Sequence, residues 1–232
     1  MLQTGTAAML LSFDIETAAI AEHDDWHSHE HVPERLAIPG FLHGSRWISR
    51  SAGPRYFVLY AVQSLAVLAS PAYLARLNNP SPWTAKMMRS YIGMQRALCT
   101  VEAGFGAGLG ATAVLIRFAA ADGAGMTTQT WLKNEVLGNL SGRPGIVSSH
   151  LFVSSLAAPM TREQQIRGQD ASIPCALLVT GYDADAVTAI ADTELARERF
   201  VAQGCASQGY DCGIYQLGFS MRSGDQWPGS AG

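Results

Sequence analysis

Apolar and polar positions along the chain alternate between strand-length runs and helical arcs, and the same order of elements occurs twice. Residues 7–15 form an apolar run suited to a buried strand, residues 17–37 follow a helical period, and Ile38-Pro39-Gly40 breaks it. Residues 41–49 and 55–63 read as strands separated by Ser51, Gly53 and Pro54. A second helix is expected over 65–77. Asn78-Asn79-Pro80-Ser81-Pro82-Trp83 has the composition of a loop, and a last strand is expected around 96–102. The second half repeats the series, with a strand over 111–119, a helix over 127–140, strands over 146–156 and 175–182, a helix over 185–203 and a strand over 213–222.

The two series keep register. Trp26, Glu30, Pro39 and Gly40 each lie 105 positions before Trp131, Glu135, Pro144 and Gly145. The order β-α-β-β-α-β in each half predicts an α+β fold of two tandem ferredoxin-like units, over 1–105 and 111–223, with a flexible tail over 224–232. A four-stranded sheet with both helices on one face must bury its other face, so the two sheets are expected to pack together or close into a barrel within the chain. Gly104, Gly106, Gly108 and Gly110 form a small-residue joint between the units. Gly106-Ala107-Gly108-Leu109-Gly110-Ala111 fits a loose dinucleotide fingerprint, but a strand-like run follows where that fingerprint needs a helix, so the segment reads as a linker.

A chain of 232 residues with 48% hydrophobic and 15% charged residues is globular in composition. Its net charge of −3 has no basic cluster behind it, which argues against nucleic acid and against polybasic membrane attachment. No basic n-region precedes the first apolar run, and no run approaches the roughly 18 apolar residues of a membrane span. Cys99, Cys175, Cys205 and Cys212 have no CxxC or ligand-like spacing, so reduced thiols and a cytoplasmic location are expected. The expected partner is a small molecule or a second copy of the chain.

The chemistry concentrates in the first helix. His23, His27 and His31 are spaced four apart and share one face, with His29 off it. The corresponding helix of the second half has an apolar arc centred on Leu132, Val136 and Leu140, which shifts back by 105 onto His27, His31 and Arg35, with Ile20 on the same arc. Burying an imidazole without a partner costs on the order of 1–3 kcal/mol, so these groups need either a partner or a cavity. Two readings follow: Asp24, Asp25, Glu30 and Glu34 satisfy them at a helix end open to water, or they face a ligand. His31 can exchange a proton near neutral pH. Glu30 recurs as Glu135 and Trp26 as Trp131, so these read as structural. His27 and His31 could also share a metal ion, with Glu34, His43 or His150 as a third ligand; His23 lies about 12 Å from His31 along the axis, too far to join them easily.

The segment from Trp26-His27-Ser28-His29-Glu30-His31 through Val32-Pro33-Glu34-Arg35-Leu36 to Pro39-Gly40-Phe41 resembles the W-x-x-x-E-H-x-P-E-R-L…P-G-F pattern of EthD-like members of the dimeric α+β-barrel superfamily. Arg46-Trp47 and residues 77–84 extend the resemblance over most of the first half. It implies a barrel of two ferredoxin-like units paired within one chain, and often a further homodimer. It also implies a pocket histidine, matched by His31; Val136 stands where the second copy would carry one, so one pocket per chain is expected. The superfamily spans cofactor-free monooxygenases, isomerases, cyclases and haem-handling proteins, so fold does not choose among functions.

The leading expectation is a cofactor-independent acid/base enzyme, of isomerase, cyclase or lyase type, acting on a small carbonyl, lactone or phenolic compound. His31 would transfer the proton, and His27 and Arg35 would orient the substrate or stabilise an oxyanion. His23, Ile20, Tyr60, Trp83 and Arg96 are the candidate substrate contacts, and Tyr56, Arg89 and Tyr91 are further polar candidates. The alternatives are a non-catalytic protein holding a small apolar ligand or haem in the barrel interior, and a metal-dependent enzyme using His27 and His31. Met87, Met88, Tyr91, Ile92 and Met94 are a candidate dimer contact.

Overall fold

The computed structural model describes residues 5–50, 53–121, 124–156 and 160–225. Ser51 and residues 226–232 of the expected tail lie outside the described residues. The strands are β1 (Ala7–Ile15), β2 (Phe41–Ser49), β3 (Tyr56–Val62), β4 (Tyr91–Gly106), β5 (Thr112–Ala120), β6 (Ile146–Leu156), β7 (Ala171–Ser172), β8 (Cys175–Gly181) and β9 (Cys205–Arg222). Eight of them close a barrel in the order β1-β3-β2-β9-β5-β8-β6-β4, with β4 pairing back onto β1 and the short β7 added parallel to β4. The first four run β4-β1-β3-β2 and the last four β9-β5-β8-β6, so each half uses the same spatial order. The halves join at β2–β9 and β4–β6, all antiparallel.

Strand alternation divides the apolar residues into two layers. Ala8 and Leu10 of β1, Trp47, Phe57, Leu59, Ala97, Ala113, Leu115, Phe152, Leu178 and Tyr215 come from all eight barrel strands and form one interior cluster. Trp47 stacks on Phe57 at 5.3 Å and Tyr215 meets Phe57 edge-on at 4.8 Å. The Arg117 guanidinium enters this layer and donates to Ser12 Oγ at 2.6 Å and Gln95 Oε1 at 2.7 Å. The barrel interior is thus filled by side chains, which corrects the expectation that a ligand could be held there. Met9, Phe13, Tyr56, Val58, Tyr60 and Leu98 alternate outward, beneath the helices of the first half.

Those helices are α1 (Ile20–Trp26), a single π turn (His27–His31) and α2 (Val32–Leu36), continuous with one another, then α3 (Pro71–Asn78) and α4 (Pro82–Met87). In the second half the matching helix is α5 (Gly125–Trp131), a π turn (Leu132–Val136) and α6 (Leu137–Ser141), followed by α7 (Arg162–Arg167), α8 (Ala184–Asp192) and α9 (Arg197–Ala202). Gly40 and Gly145 take φ of 95° and 87° where the first helix of each half turns into a strand, a conformation that side-chain-bearing residues rarely adopt.

Several elements differ from expectation. The helix expected over 65–77 is a 3-10 segment, Leu65–Ala69, and then α3, because Pro71 cannot continue a helix but opens one, with Ser70 Oγ accepting from Tyr73 N at 3.2 Å. The loop around Ser81 starts α4, where Ser81 Oγ accepts from Thr84 N at 2.9 Å. The helix expected over 185–203 is interrupted at Thr193. Neither α7 nor β7 was expected; both belong to the connection between β6 and β8. Gly108 and Gly110 of the expected joint connect β4 to β5, whereas Gly104 and Gly106 lie within β4, which runs beyond the expected 96–102.

Candidate functional site

The first helix lies across the outer face of β1, β3 and β4. His27 and His31 from its π turn and Arg35 from α2 point at Met9, Leu11 and Phe13 of β1, Val58 and Tyr60 of β3, and Met94 and Arg96 of β4. Tyr73 and Leu77 of α3, Met88 and Tyr91 close the sides, and Glu163 and Arg167 of α7 close the top. The cavity between them is about 30 Å³, room for one or two water molecules.

Four polar atoms of lining residues are buried without a hydrogen-bond partner among the described residues: His27 Nδ1, His31 Nδ1, Arg35 Nη1 and the Tyr60 hydroxyl. Burial, reinforced by the Arg35 charge, holds both lining histidines well below the ordinary imidazole pKa, so at neutral pH they are uncharged. Arg35 remains a cation: burial opposes it, and the Glu163 carboxylate overcomes that, with Nη2 donating to its two oxygens at 2.6 and 2.7 Å. Burial raises the Tyr60 hydroxyl, which stays protonated and able to donate.

The histidines form a row. Ring centroids of His31 and His27 are 5.5 Å apart, those of His27 and His23 again 5.5 Å, and Trp26 packs 4.4 Å from His31. His23 Nδ1 ends the row 3.3 Å from Asp24 Oδ1, which also accepts from Tyr56 OH at 2.8 Å. Glu30 holds the helix to its neighbour: Oε1 accepts from Trp26 Nε1, Ser81 Oγ and Thr84 Oγ1.

No family model matches the chain, and no curated protein matches it. Solved structures do. An anthrone oxidase-like protein superposes with a TM-score of 0.67 at 12% identity, over 99% of this chain and 98% of its own. A candidate monooxygenase from Fusobacterium nucleatum subsp. nucleatum gives 0.61 at 9% identity over 96% and 97%, and a candidate chlorite dismutase 0.51 at 14% over 91% and 94%. The fold is of the dimeric α+β-barrel type. At such identities the likeness establishes architecture and leaves chemistry to the site.

Of the residues singled out from sequence, the fold brings His27, His31, Arg35, Tyr60, Tyr91 and Arg96 to one cavity. His23 is buried behind His27, Ile20 packs on the apolar layer, and Trp83 Nε1 donates to Glu22; none of the three lines the cavity. Arg89 is exposed. Met87, Met88 and Met94 are buried core residues, which corrects their assignment to a dimer contact. Among the described residues no three metal-ligating side chains converge: Glu34 pairs with Arg76, and His43 with Ser220. Glu163 and Arg167 were missed because they belong to an insertion of the other half, and no periodicity links residue 163 to residue 35.

The corresponding place in the second half is closed. Leu132, Val136 and Leu140 pack with Val114, Ile116 and Leu177 in a continuous aliphatic cluster, and Thr128 replaces His23. The same backbone, π turn included, therefore carries an aliphatic arc in one half and an imidazole–guanidinium arc in the other.

Proposed function

We propose that the protein is a cofactor-independent enzyme that moves a proton on a small carbonyl, lactone or phenolic compound bound in the His27–His31 cavity, with the two halves descended from one ferredoxin-like unit and only the first retaining a site. The observation that carries this reading is that four residues lining one cavity, His27, His31, Arg35 and Tyr60, each bury a polar atom without a partner among the described residues. Such atoms cost free energy that a ligand's hydrogen bonds would return.

The roles follow from charge and proton count. Neutral His31 accepts a proton from a C–H or O–H group activated by an adjacent carbonyl. The oxyanion that develops is met by Arg35 Nη1 and the Tyr60 hydroxyl, donors held in place before reaction in a site sheltered from water. Positive charge on His31 and negative charge on the substrate then stabilise each other. Return of the proton to a different atom gives isomerisation or cyclisation, and loss of a leaving group gives a lyase reaction. The names of the structural neighbours, an anthrone oxidase-like protein and a candidate monooxygenase, favour an enolisable or phenolic ring compound over an aliphatic one.

Proton abstraction can be assayed without knowing the final product. A panel of phenolic ketones and lactones in D₂O, followed by proton NMR, should show protein-dependent loss of the signal at the acidified carbon. His31→Ala with an unchanged fold should abolish that exchange; exchange persisting at the wild-type rate would rule out the role of His31.

A further inference from the structure

An organic ligand cannot enter a space of about 30 Å³ unless a wall moves, and the walls are not equivalent. Three are barrel strands and two are helices packed on them. The sixth, α7, has six residues and ends at Gly168, whose φ is +98°. On its far side lies a polar groove of about 530 Å³, lined by Arg96, Ser154, Ser155, Gln164 and Asp170 among others, so Arg96 borders both cavity and groove.

The charges are divided unevenly across this boundary. The fixed wall supplies two buried cations, Arg35 and Arg96. Both of their carboxylate partners sit on the insertion: Glu163 holds Arg35 at 2.6 Å and Asp170 holds Arg96 at 3.0 Å. Asp170 adjoins β7, which is paired with β4, so it stays with Arg96 when α7 moves. Displacing α7 takes Glu163 away and leaves Arg35 uncompensated beside neutral imidazoles, and a buried cation without an anion is strongly unfavourable. An entering anion would remove that cost; a neutral molecule would not.

Resting on the cavity as the ligand site, we propose that its ligand is an aromatic anion, a carboxylate or phenolate, that enters from the groove and takes over Arg35 from Glu163. Glu163 occupies the place of the ligand's acidic group in the closed form.

Benzoate and its neutral isostere benzamide test this, with binding measured by calorimetry and cavity occupancy by carbethoxylation of His27 and His31 with diethyl pyrocarbonate, exposed His29 serving as reference. Glu163→Gln should bind benzoate at least about tenfold more tightly than the wild type, because the competing internal anion is gone. Benzoate should slow carbethoxylation of His31, and benzamide should do neither. If Glu163→Gln fails to fold, Glu163→Asp, whose shorter carboxylate holds Arg35 less closely, carries the same comparison. Affinity for benzoate within twofold of wild type in the folded variant, or no binding, overturns the proposal. Benzamide matching benzoate in affinity and protection overturns the anion while leaving the cavity as a ligand site. Benzoate binding that leaves His31 carbethoxylation unchanged overturns the cavity site itself, and the proposal with it.

Discussion

Replacing His27 with the residue that the second half carries at the same place, His27→Leu, should stabilise the protein, and by more in acid than in base. His27 is 2% exposed, its Nδ1 has no partner among the described residues, and its neighbours include the rings of His23, Trp26 and His31. Leu is close in size, so the swap removes an unsatisfied buried atom, worth about 1–3 kcal/mol, and gives up ring contacts worth about 0.5–1.5 kcal/mol. The net at pH 8 is about 1 kcal/mol in favour of Leu, or roughly 2–4 °C in Tm for a chain of this size. The pH dependence follows from the depressed pKa of His27 in the folded state. The unfolded chain binds a proton as pH falls through about 6.5 and the folded chain does not, so stability is full above that value and is lost below it, until the lower folded pKa is reached. Each such histidine costs up to about 2 kcal/mol between pH 8 and pH 5, the limit set by the unfolded imidazole. The lead of His27→Leu over the wild type should therefore grow from about 1 kcal/mol at pH 8 towards about 3 kcal/mol at pH 5. Urea unfolding followed by circular dichroism at both pH values measures this. A variant less stable at pH 8, with a pH profile parallel to the wild type, would refute the assignment of His27 as a neutral, unsatisfied group.

Three further outcomes are expected. Glu163→Leu alone should cost about 3–5 kcal/mol by stranding Arg35, and Arg35→Met with Glu163→Leu should recover most of it, since a buried ion pair is replaceable as a unit; a double variant no better than the single would show the pair is not isolated. Glu30→Ala should cost about 1–3 kcal/mol because three donors lose their acceptor, whereas exposed Glu135→Ala should stay within about 0.5 kcal/mol in the same melts. Cys99 and Cys175, whose thiols burial pushes up to about 12 and about 11, should resist iodoacetamide at pH 8 in the native state; rapid alkylation, read by peptide mass, would contradict their burial.

What was legible in the sequence was whatever depends on local period. Strand β1 begins and ends where its apolar run does, because a barrel strand buries both of its faces, and β2 and β6 fall at the expected bounds as well. The histidine arc was legible for a comparative reason: Leu132, Val136 and Leu140 mark which side of the helix is buried, and the same side of the first helix holds His27, His31 and Arg35. The helices around Ser70 and Ser81 were obscured because Pro71 and Pro82, which look like breakers, sit at the first helical position. The roof of the cavity was not legible at all. Its contacts join residues 128 positions apart and depend on barrel closure, which no local pattern encodes.

A π turn inside an α-helix often accompanies a functional site, and taken alone the one at His27–His31 would invite that conclusion. The second half carries the same turn at Leu132–Val136, with Leu132 and Val136 packed in an apolar cluster. The backbone irregularity therefore belongs to the fold, and function must be sought in what the turn presents. In one half it presents carbon to carbon, and the layer beneath it closes. In the other it presents imidazoles and a guanidinium to a tyrosine hydroxyl, and the layer does not close without α7 reaching over from the opposite half. Stability favours the first arrangement wherever nothing else is required. Polar atoms that lack a partner among the described residues, in one of two otherwise matching sites, are thus a cost that packing does not explain.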